Sequence, residues 1–137
     1  VISDLVDNIK DIHPNLKKEV AARLAAYALA DTYGMNVGAY KSPVYKSHTI
    51  EKAAIRIQFD HVPVALVSKG GDPTDFYIAG EDGNFMKAKV RVEGKTVIVY
   101  HPAIKQPKHV RFGFTNTAMP NLFSAEGLPV NLFRTDK

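Results

Sequence analysis

The spacing of apolar positions along the chain changes once, near Gly34. Before it, Leu16, Val20, Leu24 and Tyr27 recur at intervals of four, four and three, which returns them to one face of an α-helix. Ala21, Ala25 and Ala28 flank that stripe and leave room for another element to approach. Pro14 suits the first helical position, where the N–H it lacks would have no partner. Gly34 suits the left-handed residue that ends a helix. The spacing predicts a helix over 14–33 whose apolar stripe needs a partner surface.

After Gly34 the period becomes two. "MNVGAYKSPVY" reads as a linker around Gly38 and Pro43. Ile55, Ile57 and Phe59 then alternate with Arg56 and Gln58. Val90 and Val92 alternate with Lys89 and Arg91, and Val110, Phe112 and Phe114 continue the pattern. Turn signals separate the runs: "GGDP", "EDGN", "VEGKT" and "HPAIKQP". Asp82-Gly83 and Gly94 supply the positive-φ residues of tight hairpins. "SKGGDPTD" has glycines a phosphate loop would use, but no Lys-Ser/Thr and helix follow them, so it reads as a hairpin loop. The tail "NLFSAEGLPVNLF" is rich in turn formers and reads as a docking strap rather than a strand.

The chain is therefore expected to be mainly β with one N-terminal α-helix. The β part is expected to be an antiparallel, immunoglobulin-like sandwich of about seven to nine strands. One helix is too little for a domain, so residues 1–35 read as the last helix of an incomplete α/β domain. Residues 36–46 read as a linker and residues 47–137 as the sandwich. The start without Met fits a processed product or an excised piece.

Composition narrows the function classes. At 137 residues, 45% hydrophobic and 23% charged, the chain is ordinary globular protein. No apolar run approaches the roughly 20 residues of a membrane-spanning helix. A formal net charge of +4 is spread along the chain, so no phosphate-tracking run or nucleic-acid partner is implied. The absence of cysteine removes disulfides and thiolate catalysis. His48, His61, His101 and His109 lack metal-ligand spacing, and no metal or other cofactor is implied. Tyr27, Tyr40, Tyr45, Tyr77 and Tyr100 could form a sugar-stacking platform, although aromatics at alternating strand positions usually face a core.

One local motif carries chemistry. Asp11-Ile12-His13-Pro14 stands where the helix begins. A histidine titrating near neutrality can act as base and then acid, and a nearby carboxylate can hold its tautomer.

The surrounding residues resemble the end of the catalytic domain of sialate O-acetylesterases, a branch of the SGNH-type esterases. In that family an Asp-Ile-His-Pro segment opens the closing helix and an Arg-Leu-Ala follows, here Arg23-Leu24-Ala25. "KSPVYKS", "FYIAGEDGNFMKAKVRVEGKTVIV" and "NLFSAEGLPVNLFRTDK" resemble the family's linker, central strands and tail. The resemblance covers nearly the whole chain. It implies that His13 is the catalytic base. Asp11, Asp7 or a backbone carbonyl would orient it, because the aspartate that the wider SGNH pattern has three residues before the histidine is replaced by Lys10.

The nucleophile is not legible. The family carries it in a Gly-Gln-Ser-Asn type segment after the first strand of the catalytic domain. Ser3, Ser42, Ser47, Ser68 and Ser124 have no such context, and Gly-x-Ser-x-Gly is absent. The resemblance thus implies a C-terminal portion of an esterase whose serine and oxyanion donors lie in a missing N-terminal portion, so that the chain alone is inactive. Its partners would be O-acetylated sialic acid or a related acetylated glycan, with self-association of the exposed faces possible in isolation. The family's habit places such enzymes in the periplasm, outside the cell or in lysosomes. The alternative is a non-catalytic β-sandwich carbohydrate-binding or interaction module.

Overall fold

The computed structural model describes residues 2–6, 8–11, 13 and 15–136. One helix, α1 (Lys17–Tyr27), widens into a π-helical turn over Ala28–Thr32. It starts later than the spacing predicts, because Leu16 has the non-helical angles φ −78° and ψ 44°. Pro14, the predicted first residue, lies outside the described residues. Gly34 ends the helix at φ +66°, and the carbonyls of Ala30 and Leu29 accept the N–H groups of Gly34 and Met35. The left-handed conformation is what a side chain would resist there.

Ten strand segments follow: β1 (Val44–Glu51), β2 (Ala54–Asp60), β3 (Leu66–Ser68), β4 (Phe76–Ala79), β5 (Met86–Lys87), β6 (Lys89–Glu93), β7 (Thr96–Tyr100), β8 (His109–Phe112), β9 (Leu122–Ser124) and β10 (Phe133–Arg134). The number exceeds seven to nine because β3, β5, β9 and β10 have only two or three residues each. Two sheets have the orders β1-β2-β7-β6 and β10-β8-β4-β5, and β3 pairs with β9 separately. Every pairing is antiparallel. This is the mainly β, helix-first sandwich the period change predicts.

The two-residue period places the core. Ile55, Ile57 and Phe59 point inward from β2, and Val97 and Val99 from β7. From the other sheet come Phe76, Ile78, Val110 and Phe112. Phe76 and Phe112 pack tilted at 4.4 Å between centroids, and Phe133 meets both Phe112 and Phe59. Burying such side chains stabilises by roughly 1.5–3 kcal/mol each.

Three details differ from the sequence reading. β1 begins at Val44, inside the predicted linker, and Ser42 and Pro43 are buried beside it. The Pro43 carbonyl accepts the Asn131 N–H at 2.8 Å. The loop holding "GGDP" is no hairpin, because β3 and β4 belong to different sheets. The tail is woven in as β9 and β10, with Leu122, Phe123 and Phe133 buried, and of its larger apolar side chains only Leu132 is exposed.

Candidate active site

The helix meets the sandwich lightly. None of its described residues is buried. Its less exposed side is formed by Leu16, Val20, Arg23 and Tyr27, whereas Leu24, expected in the stripe, is 66% exposed. Arg23 takes that place by forming a bidentate pair with Asp4, Nη1 and Nη2 each donating at 2.7 Å. Burial alone would raise the Asp4 carboxyl. The hydrogen bonds and charge of Arg23 outweigh it and hold the group below its ordinary value. The same pair raises Arg23. At the other end, Tyr27 packs edge-on against Tyr40, whose hydroxyl donates to Asp31 at 2.6 Å.

Between Asp4 and the helix the chain makes a tight return. The Asn8 carbonyl accepts the Asp11 N–H, and the Asn8 side chain accepts the Lys10 N–H at 3.0 Å. Asp11 Oδ1 then accepts the His13 backbone N–H at 2.8 Å, a local turn typical of aspartate. The same oxygen lies 3.5 Å from His13 Nδ1. That is ion-pair range, longer than a formed hydrogen bond of about 2.7–3.2 Å. The two residues singled out from the sequence are thus brought together, with the carboxylate on the Nδ1 side of the ring. The His13 side chain is 80% exposed. Asp7, the other candidate orienter, lies outside the described residues.

An imidazole beside a carboxylate can shuttle a proton, but it needs a hydroxyl to activate. Among the described residues, no serine is hydrogen-bonded to His13. Ser124 and Ser42 are buried in the sandwich, and Ser124 Oγ accepts the Leu128 N–H at 3.3 Å. Ser47 donates to Gln58 and Ser68 to the Gly71 carbonyl. Sequence reasoning missed the Asp4–Arg23 clamp that fixes the return, since nineteen residues separate its partners and no local pattern marks them. The tyrosines do not form one platform: Tyr27 and Tyr40 meet each other, while Tyr45 stacks on Phe133 at 5.1 Å.

No family model matches the chain, and no curated protein does. A solved structure does. The chain is similar to part of a carbohydrate acetylesterase from Xanthomonas citri. The likeness has a TM-score of 0.88 and 35% identity over 98% of this chain, which spans 31% of that enzyme's length. The relationship to a carbohydrate esterase therefore rests on helix and sandwich together, not on one tetrapeptide.

Proposed function

We propose that the chain is the C-terminal portion of a serine-type carbohydrate O-acetylesterase of the sialate O-acetylesterase kind, and that His13 is its catalytic base. The observation that carries this reading is the likeness over 98% of the chain to a carbohydrate acetylesterase of which it spans 31%. The Asp11–His13 juxtaposition supports the role of each residue. The exposed Ile9, Leu24, Tyr33 and Met35 fit a larger domain resting on the first 35 residues, which would cover apolar side chains that this chain leaves open.

In the reaction, a serine outside this chain attacks the acetyl carbonyl while His13 Nε2 takes its proton. The oxyanion collapses and expels the sugar oxygen, which receives that proton from His13. Water, deprotonated by His13, then attacks the acetyl-serine; the bond to the serine oxygen breaks, that oxygen takes the proton back from His13, and acetate leaves. Asp11 on the Nδ1 side holds the tautomer and stabilises the imidazolium. The oxyanion donors come from the same absent part as the serine, so the chain alone lacks the stabilisation that supplies most of the acceleration. The sandwich acts chiefly as a scaffold, and the enzyme works in the periplasm, outside the cell or in lysosomes.

The test compares acetate release from O-acetylated sialic acid and from an O-acetylated neutral sugar, by the parent protein and by this chain. The parent is expected to turn over the acetylated sialic acid faster, with this chain at background. Hydrolysis by this chain alone would refute the missing-serine account, and preference for the neutral sugar would refute the sialate assignment. An inactive parent would favour a non-catalytic binding module.

A further inference from the structure

The Gly70-Gly71 loop has a structural use that a hairpin would not give it. It carries the chain from β3 to β4, across the gap between sheets. Gly70 and Gly71 adopt φ +76° and +129°, which L side chains resist. Asn121 braces the loop at three points. Its side-chain carbonyl accepts the Thr74 N–H at 2.9 Å, and its amide donates to the carbonyls of Lys69 at 2.9 Å and Asp72 at 3.0 Å. Residues 69–74 are thereby held as a preformed wall.

Opposite that wall the chain passes from β5, the edge of one sheet, to β6, the edge of the other. The step occurs at Ala88, whose N–H donates to the Phe76 carbonyl at 2.8 Å. It leaves Lys87 and Lys89 exposed on either side, and neither joins an ion pair among the described residues. Lys89 lies directly across from Tyr100 in the ladder. Wall and step enclose a cleft of about 440 Å3 lined by Asp72, Thr74, Lys87, Lys89, Val90 and Tyr100. Small-molecule sites occupy roughly 300–1,000 Å3.

The lining specifies a ligand chemistry. Lys87 and Lys89 supply ammonium groups for a carboxylate, Asp72 supplies an acceptor for hydroxyl groups, and the half-buried Tyr100 supplies an apolar ring. A free phosphate would use the lysines but leave the Tyr100 ring and the hydroxyl-accepting Asp72 unused. We infer that this cleft binds an acidic sugar residue, anchoring a glycan at a site separate from His13. The cleft makes no use of His13, so binding can be read without any ester hydrolysis.

The test titrates this chain with a galacturonic acid tetramer and a galactose tetramer, following backbone amide shifts and binding heat at low salt. The acidic tetramer is expected to bind at least about tenfold more tightly, with shifts centred on residues 72–74 and 87–90. Lys87→Gln/Lys89→Gln, at two exposed positions that leave the core intact, should weaken binding by about tenfold or more, a typical effect of losing charge-assisted hydrogen bonds. Lys17→Gln/Lys18→Gln, which removes the same charge from the helix, should leave binding unchanged. Equal affinity for both tetramers, equal loss in both variants, or undetectable binding would overturn the proposal. Displacement of the acidic tetramer by an equal concentration of inorganic phosphate would reassign the cleft to any small anion.

Discussion

Gly113 shows how one residue can redirect an inference drawn from alternation. Val110, Phe112 and Phe114 read as three inward positions, yet Phe114 is 47% exposed while Phe112 is fully buried. Gly113 adopts φ +73° just past β8, and its N–H donates to the Asp75 carbonyl at 2.9 Å. The turn reverses the face that Phe114 presents, and a two-residue period cannot reveal that. A Cβ at this position would collide with the Leu132 side chain. Gly113→Ala should therefore destabilise the fold by about 1–3 kcal/mol, combining left-handed strain with the displacement of Leu132, as read from denaturant unfolding. The Asp4–Arg23 pair was equally invisible in the sequence. Because the Asp4 carboxyl is lowered from its ordinary 3.8, its stabilisation is complete above about pH 4 and is lost as pH falls through the lower folded value. Asp4→Asn should cost about 1–2 kcal/mol at neutral pH. It should also remove that acid dependence, seen as faster amide exchange across Lys17–Tyr27.

At the level of elements, strands were easier to read than the helix. The β2 pattern of Ile55, Ile57 and Phe59 was legible because one face of that strand meets the core throughout. The helix repeats apolar residues just as regularly, but periodicity identifies a face without saying what lies against it. Here Leu24 faces solvent and Arg23 replaces it by pairing with Asp4. Leu24→Ala should accordingly change the stability of this chain by less than about 0.5 kcal/mol. Ile57→Ala should cost about 2–5 kcal/mol. Thermal or denaturant melts of the two variants check the contrast, and a large loss in Leu24→Ala would mean that the helix packs on this chain after all. Loops were least legible. Two glycines marked a turn at residues 70–71, but only the sheet assignment of β3 and β4 distinguishes a crossing from a hairpin.

Over the whole molecule, the buried apolar core among the described residues lies in the sandwich, and the first 35 residues contribute no buried apolar side chain to it. The hydrophobic core cluster begins at Ile55; Ile2, Ile9, Leu24, Tyr33 and Met35 are exposed, as are several apolar residues of the sandwich such as Val64 and Phe114. The sandwich has its core, and the first 35 residues present a surface together with a histidine–aspartate pair. That imbalance, with the likeness to a segment of a carbohydrate acetylesterase, makes His13 the residue on which the functional reading turns. Its tetrapeptide was visible in the sequence, but the geometry that sets Asp11 beside its Nδ1 was not. The most direct test is steady-state hydrolysis of an O-acetylated sugar by the parent protein carrying His13→Ala. If His13 is the base proposed above, kcat should fall by about 10³-fold or more while KM and the melting temperature stay near those of the unaltered protein. Turnover within about tenfold of the unaltered enzyme would contradict the assignment of His13 as its base.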